Sequence, residues 1–164
     1  MKKLIIIRHG KATQELMPDK KRHLIKKGIK RTEKTVRSLI EFGIVPDLII
    51  SSPAMRAYQT AEIVAKAYRY PENKIEINKH FYFYPDEIIM NQIYALPQTI
   101  ETAFIFGHNP SWTDIADEFA HMDIWHLPTS GAFGVSFDTN NWTEIESATK
   151  KDLFFIDPRT DAKN

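Results

Sequence analysis

The 164-residue chain contains no cysteine. This absence excludes disulfide bonds, thiolate zinc sites and any catalytic mechanism that needs a cysteine nucleophile. The chain also lacks an apolar run close to the ~20 residues that a membrane-spanning helix needs. After a basic start, the apolar stretch from Leu4 to Ile7 is too short for the core of a signal peptide. We therefore expect a cytoplasmic protein that has no membrane partner.

A strong net charge is also lacking, but the charges are unevenly distributed. The formal net charge is +1, yet residues 1–50 hold 13 Lys and Arg against 5 Asp and Glu, and the remainder holds 9 against 16. Solvated helix faces account for most such lysines, and the alternative is attraction of an anionic partner toward a nearby site. Because the whole chain is not basic and carries no recognition motif, we expect no nucleic-acid partner.

Short apolar runs alternate with amphipathic helical patterns along the chain. The predicted strands are residues 3–8, 47–51, 74–79, 103–107, 132–138, 142–147 and 151–156, and the predicted helices are 24–42, 53–68, 86–96 and 110–121. This order predicts one α/β domain over residues 1–164, in three layers, with a mostly parallel central sheet and helices on both faces. The Asn140-Asn141 pair predicts a hairpin turn, and the polar residues 157–164 predict a frayed tail.

Three of the predicted strands lead into segments that suit an anion. These segments are Arg8-His9-Gly10, Ser51-Ser52-Pro53-Ala54-Met55-Arg56 and Gly107-His108-Asn109-Pro110. Ligands of open α/β sheets bind beyond the carboxyl ends of the strands, so we expect the three segments to converge. Ser52 and Asn109 are predicted helix N-caps, and helix N-termini bind phosphate as the planar fork of arginine does. The sequence thus predicts a site for a dianionic tetrahedral group.

Each of these residues also has an ordinary structural explanation. A lone histidine at a strand end is more often structural than catalytic, and a lone arginine near a helix start is usually a salt-bridge partner. Convergence of three segments favours a joint site instead. Two histidines without a suitably spaced third ligand, next to arginines that repel cations, argue against a metal, and we expect no cofactor. A Walker-type phosphate loop is absent, which disfavours NTP hydrolysis by that route.

The combination of these segments resembles the histidine phosphatase superfamily, also called phosphoglycerate mutase-like. Arg8-His9-Gly10 after the first strand, SSPAMRAYQTAEI after the second and GHNP after a later strand carry the resemblance, which covers most of the chain. It implies a phosphoglycerate mutase-like fold. It also implies that His9 attacks the phosphoryl group and becomes phosphohistidine, while Arg8, Arg56 and His108 bind and stabilise that group.

The details of the motif favour one branch of the superfamily. The mutase branch usually reads Arg-His-Gly-x-Thr/Ser-x-x-Asn, whereas Ala12 and Glu15 stand at the last two defined positions here. The short chain and RHGKA look more like SixA-type phosphohistidine phosphatases, which often carry Asp-x-x-Arg-Pro-Leu-Thr-x-x-Gly. That pattern is matched at Asp19, Arg22, Leu24 and Gly28, and it is not matched at His23 and Ile25. The match makes Arg22 a further candidate phosphate ligand.

The candidate residues suggest a two-step phosphoryl transfer without a metal. Neutral His9 would attack phosphorus, and water would then hydrolyse the phosphoenzyme. An alkoxide leaving group needs a general acid, and the nearest acids are Asp86 and Glu87. These two residues are also explained by the dipole of a helix start. Imidazole, whose conjugate acid has a pKa of ~6.5, leaves more easily than an alkoxide.

The leaving-group argument favours phosphohistidine on a protein, such as a histidine phosphotransfer domain, as the substrate and partner. The alternatives are a phosphatase of small phosphate esters and an inactive module that binds phosphate or a phosphoprotein. The aromatic stretch from Phe81 to Tyr84 is either a rim for a partner or, for at least half of it, part of the core.

Overall fold

The computed structural model describes residues 1–160. The strands are β1 (Lys2–Arg8), β2 (Leu48–Ser51), β3 (Glu76–Ile77), β4 (Thr102–Gly107), β5 (Ala132–Phe137) and β6 (Lys150–Ile156). The α-helices are α1 (Lys26–Glu41), α2 (Met55–Ala67), α3 (Asp86–Tyr94) and α4 (Ser111–Phe119), and 3-10 turns lie at Asp19–Lys21, Glu72–Lys74, Lys79–Phe81 and Trp142–Glu144. Within this described part, every helix is too short or too polar to span a bilayer.

The strands form one six-stranded sheet in the order β3-β2-β4-β1-β5-β6. The pairs β3-β2, β2-β4 and β4-β1 are parallel, whereas β5 runs antiparallel to both β1 and β6. The α/β class is therefore confirmed, and the sheet is mixed, with three parallel and two antiparallel pairs of strands. The antiparallel β5-β6 pair has a local reason, because the connection between these two strands holds only a short helical turn, and a parallel crossover usually needs a full helix.

Helices cover both faces of this sheet. Ile5 and Ile7 of β1 pack in one apolar cluster with residues of α1 and α2, and Leu4 and Ile6 pack in a second cluster with residues of α3 and α4. These four side chains of β1 are fully buried, two on each face of the sheet. The strand is therefore an unbroken apolar run instead of an alternation of apolar and polar residues. The two clusters hold the central strands in place and so fix the ends that carry the polar segments.

Two predicted elements differ in the structure. Residues 142–147 are not a strand, because Trp142–Glu144 forms a helical turn capped by the Asn141 side chain, which accepts a hydrogen bond from Thr143 N. Trp142 is buried and donates its indole N–H to the Ile100 carbonyl at 2.8 Å. The hairpin predicted at Asn140-Asn141 is therefore wrong, because the segment after the turn is not a strand. Its apolar residues suggest a strand in the sequence, but Trp142 is buried from a helical turn.

The last described residues form a turn, where the sequence predicts fraying from residue 157. Thr160 N donates to the Asp157 carbonyl at 3.2 Å, and the Lys34 ammonium donates to the Thr160 carbonyl at 2.7 Å. Arg159 and Asp157 form an ion pair at 2.8 Å. The remainder of the predicted tail, residues 161–164, lies outside the described residues.

Candidate active site

The carboxyl ends of β1, β4 and β2 meet at one edge of the sheet. These strands are adjacent and parallel, with Arg8 beside Gly107 and Ser51 beside Phe106. The segments that follow them therefore converge as the sequence predicts. The rings of His9 and His108 lie 5.1 Å apart between centroids, and Nη2 of Arg56 lies 3.3 Å from Nδ1 of His108.

His9 is positioned as a neutral nucleophile. Its Nδ1 lies 2.7 Å from the Gly10 carbonyl oxygen, which can only accept, so Nδ1 carries the proton and Nε2 keeps its lone pair. Burial lowers the pKa of His9 to about 3 against the opposing effect of the Gly10 hydrogen bond, and the charge of Arg56 adds to the lowering. Gly10 N donates to Thr60 Oγ1 at 2.9 Å, which anchors the loop to α2. At neutral pH His9 therefore presents an unprotonated Nε2.

His108 is a second neutral histidine, held from both sides. The guanidinium of Arg56 only donates, so Nδ1 of His108 accepts and Nε2 carries the proton. Nε2 donates to Ser52 Oγ at 2.7 Å, and the same hydroxyl accepts from Ala54 N at 3.2 Å. Burial, then the neighbouring His9 and Arg56, lower the pKa of His108 to about 2. Ser52 thus orients the histidine, while α2 itself begins at Met55 with Ala54 at the N-cap position.

Arg56 is buried at the start of α2 and reaches a carboxylate at the edge of the site. Its Nη1 donates to the Asp19 carbonyl at 2.9 Å and its Nη2 to Asp19 Oδ2 at 3.0 Å. Arg22 Nη1 donates to Asp19 Oδ1 at 3.1 Å, and the Tyr82 hydroxyl donates to Oδ2. Burial would raise the pKa of Asp19, but the hydrogen bonds from Tyr82 and Arg56 outweigh it and lower that pKa to about 2. Asp19 is therefore an ionised carboxylate.

Arg8 carries an unsatisfied donor at the edge of the same site. Its Nη1 donates to the Leu127 carbonyl at 3.2 Å and lies 3.5 Å from Nε2 of His126. Its Nε is buried and has no hydrogen-bond partner within residues 1–160. A buried unpaired donor costs about 1–3 kcal/mol. Burial, Arg159 and Arg56 lower the pKa of Arg8, so an incoming anion would relieve both the unpaired donor and the crowded positive charge.

The other predicted residues lie at different distances from this centre. Arg22 joins the site through Asp19, and its Nε donates to the Thr13 carbonyl at 2.8 Å. Asp86 instead lies against α4, where burial and the Asp86 carboxyl raise the pKa of Asp114. Glu87 is exposed. Across the described chain, neither Asp86 nor Glu87 hydrogen-bonds to the histidines or arginines of the site, so a general-acid role for them stays a prediction.

Several residues that form the walls of the site have no role in the sequence analysis. Asp19 matched a motif position without a function, and Ser52 read only as a helix cap. The Phe83 ring lies 4.7 Å from the His108 ring and the Tyr82 ring 5.4 Å from it. Phe83 has a positive φ of 54°, a conformation that propensity patterns do not reveal. The chain therefore turns the exposed Phe83 and the half-buried Tyr82 over His108, while Phe81 enters the core.

The completed site combines a neutral imidazole nucleophile with several cationic donors and one ionised carboxylate. No set of three His, Cys, Asp or Glu side chains within residues 1–160 is placed to hold a metal ion. Positive donors around an unprotonated Nε2 favour attack on an anionic electrophile whose charge they stabilise. The arrangement therefore suits transfer of a phosphoryl group.

Comparison with protein families supports this assignment. The profile of the histidine phosphatase superfamily (branch 1) matches residues 4–80, slightly less than half of the chain. The serine/threonine-protein phosphatase Pgam5 of Drosophila ananassae, a mitochondrial protein, is 35% identical over 72 residues, which cover 44% of this chain. Pgam5 of Drosophila melanogaster is 32% identical over 72 residues. These matches cover only about a quarter of the length of the relatives, 25% in both cases.

Solved structures match almost the whole chain. The protein histidine phosphatase SixA complexed with tungstate superposes with a TM-score of 0.81 at 20% identity, over 96% of this chain and 97% of that one. A putative phosphohistidine phosphatase SixA from Agrobacterium tumefaciens gives 0.76 at 24% identity, over 96% and 98% of the two chains. These likenesses establish the fold. The profile match covers the segments that carry His9 and Arg56, so the chain is similar to the histidine phosphatase superfamily over that region, and the whole chain has the SixA fold.

Proposed function

We propose that the chain is a metal-independent phosphatase that forms a phosphohistidine at His9 and removes phosphate from phosphohistidine on a protein. The observation that carries the proposal is the hydrogen bond from Nδ1 of His9 to the Gly10 carbonyl at 2.7 Å. This bond leaves Nε2 unprotonated in a site that also holds the cationic donors Arg8 and Arg56. A pure binding module has no need of such a poised nucleophile.

In the first step, Nε2 of His9 attacks phosphorus in line with the leaving group. The Nε2–P bond forms as the bond from phosphorus to the leaving group breaks. The ring then bears a positive charge, and the Nδ1–H that faces the Gly10 carbonyl stabilises it. Arg8 and Arg56 stabilise the charge on the phosphoryl oxygens throughout, and the unpaired Nε of Arg8 gains an acceptor.

In the second step, water attacks the phosphohistidine. The Nε2–P bond breaks, the water oxygen stays on phosphorus, and both protons of the water leave with the inorganic phosphate as dihydrogen phosphate. His9 returns to its neutral form, which its pKa of about 3 favours. The enzyme is then ready for another cycle without any cofactor.

The leaving group determines the substrate class. The carboxylate at the site, Asp19, has a pKa of about 2 and cannot donate a proton at neutral pH. A substrate whose leaving group needs no strong acid is therefore favoured, and imidazole meets this condition better than an alkoxide. A histidine phosphotransfer domain in the cytoplasm is the partner that this chemistry suggests.

The test compares release of phosphate from a phosphohistidine-bearing protein domain, p-nitrophenyl phosphate and a panel of sugar phosphates. Wild type, His9→Ala and a matched control, His121→Ala at an exposed histidine, are assayed together. We expect the phosphoprotein to be the best substrate, with turnover lost only in His9→Ala. Turnover confined to small esters would show that the substrates are small phosphate esters and not a phosphoprotein. Asp86 and Glu87 would then be the candidate general acids. Phosphate binding without any His9-dependent turnover would overturn the enzyme assignment.

A further inference from the structure

One cavity of about 320 Å³ extends from the nucleophile into a wider cationic surface. It is lined by Arg8 and His9 and, beyond them, by Lys11, Arg22, Arg31 and Arg159. His126 also lines it, and burial together with Arg8 and Arg159 lowers the pKa of this histidine, which indicates how closely the positive groups crowd there. We name this space the cationic cavity.

The positive charge of the cationic cavity exceeds the negative charge of the neighbouring carboxylates and one phosphoryl group together. Of residues 1–160, five arginine and lysine side chains and no aspartate or glutamate line it. Two carboxylates of the part of the chain that the structure describes reach these cations from outside the cavity, Asp19 at Arg22 and Asp157 at Arg159. Three positive charges then remain, and a phosphoryl dianion balances two of them. A surplus positive charge is left for a second anion.

The surplus lies away from the groups that face the phosphoryl group. Arg22 and Arg159 are engaged by carboxylates, and Arg8 is next to His9. Among the described residues, the side chains of Lys11 and Arg31 form no hydrogen bond or ion pair, although Arg31 helps to lower the pKa of Asp157 after the larger effect of the Arg159 hydrogen bond. Lys11 follows the nucleophile by two residues, while Arg31 comes from α1. The two cations therefore line the same cavity as Arg8 and His9, and they come from different segments of the chain.

We propose that the cationic cavity is a two-part anion site, in which Lys11 and Arg31 bind a second anionic group, carboxylate or phosphate, that the substrate carries next to its phosphoryl group. The phosphoryl group itself lies at His9 and Arg8. For the phosphoprotein substrate of the proposed function, on which this reading rests, the second group is an acidic side chain near the phosphorylated histidine. For a small substrate it is a second acid on the same molecule.

Binding of two stable probes tests the second subsite without any turnover. Methylphosphonate carries one anionic group, and 3-phosphonopropionate carries a phosphonate and a carboxylate. We expect the wild-type chain to bind 3-phosphonopropionate about tenfold more tightly, the size of one charge-assisted contact of ~1.4 kcal/mol. The preference should fall to about twofold in Lys11→Gln/Arg31→Gln and persist in Lys30→Gln, which removes one charge from an exposed position of α1 outside the cavity. Equal binding of the two probes by the wild type would overturn the proposal.

Kinetics with phosphohistidine peptides identify the source of the second anion. One peptide has aspartates beside the phosphorylated histidine and the other has asparagines. A kcat/KM that is about tenfold higher for the aspartate peptide, and equal for both in the double variant, assigns the anion to a protein substrate. Hydrolysis of neither peptide, alongside preferential binding of 3-phosphonopropionate, keeps the subsite but rejects the phosphoprotein function. Equal hydrolysis of both peptides by the wild type contradicts the subsite on a protein substrate.

Discussion

Arg56 makes two hydrogen bonds to Asp19, from Nη1 to its backbone carbonyl at 2.9 Å and from Nη2 to its carboxylate at 3.0 Å. The contact ties the start of α2 to the turn that follows the first motif, and it positions a guanidinium that is almost fully buried. The carboxylate also occupies donors that a phosphoryl oxygen could use. Asp19 is therefore both a positioning residue for Arg56 and a competitor of the bound anion.

Replacing Asp19 by Asn should strengthen the binding of inorganic phosphate. The variant removes an ionised carboxylate from among Arg56, Arg22 and Tyr82, and so removes its repulsion of the anion. We expect the inhibition constant of phosphate to fall about tenfold, and the control Asp123→Asn, at an exposed position, to leave it unchanged. An unchanged or larger inhibition constant in Asp19→Asn would show that Asp19 does not compete with phosphate.

Arg56→Lys should reduce kcat/KM about 100-fold or more while the chain stays folded. Lysine keeps the charge, but a single ammonium cannot reach the Asp19 carbonyl, the Asp19 carboxylate and Nδ1 of His108 in the geometry of the guanidinium fork. Arg37→Lys, an exposed change on α1, is the control. Circular dichroism checks the fold of both variants. Activity of Arg56→Lys within threefold of wild type would mean that charge alone is sufficient.

The two histidines should make the free energy of unfolding depend on pH below neutrality. Their pKa values of about 3 for His9 and about 2 for His108 lie far below the ~6.5 expected in the unfolded chain. The unfolded state therefore binds more protons as the pH falls from ~6.5, and the stability that is complete above this value is progressively lost. Between pH 7 and pH 5 each histidine should contribute a loss of about 1–2 kcal/mol.

Urea unfolding of wild type, His9→Asn and His108→Asn at several pH values measures this effect. Each variant should lose less stability than wild type between pH 7 and pH 5. His121→Asn, at an exposed position, should follow the wild-type curve. Parallel curves for all four proteins would contradict the low histidine pKa values.

Gly28→Ala should disturb both stability and the nucleophile loop. A Cβ at Gly28 would lie 2.2 Å from the carbonyl oxygen of Lys11 and 2.8 Å from its nitrogen, and backbone atoms cannot move aside cheaply. Overpacking of this kind costs about 1–3 kcal/mol. We expect a lower urea midpoint and reduced kcat, whereas Lys27→Ala on the exposed neighbouring position should have neither effect. A Gly28→Ala variant with wild-type midpoint and kcat would contradict the close approach.

The core of the site could be predicted because its signals are local in sequence. Arg8-His9, Arg56 and His108 each follow a buried parallel strand, and the rule that ligands bind beyond strand ends brings them together. Gly28 matches the motif in the sequence, and the structure supplies the reason. The backbone of Lys11 lies so close to Gly28 that a Cβ would not fit. The convergence of the three site segments also requires that their strands are neighbours in the sheet, which the apolar runs do not establish and the strand order shows.

The remaining features depend on side-chain contacts that periodicity does not encode. Ser52 read as a helix cap, yet its hydroxyl orients His108, because α2 begins three residues later. Tyr82 reaches Asp19 across 63 positions of the chain, and no local pattern predicts such a pair. The segment around Trp142 is predicted as a strand from its apolar residues, although the buried Trp142 ring belongs to a helical turn. The antiparallel pairing of β5 with β1 joins strands far apart in the chain, and no apolar run indicates its direction.

The most direct test of the central claim is to trap the phosphoenzyme and locate its phosphorus. The chain is mixed with a phosphoramidate donor and quenched in alkali, where phosphohistidine survives, and the product is read by mass spectrometry and phosphorus NMR. Because Nδ1 of His9 is bound to the Gly10 carbonyl, we predict phosphorus on Nε2 of His9 and none in His9→Asn. Phosphorus on Nδ1, on another residue, or on no residue while the substrate is hydrolysed would contradict the account.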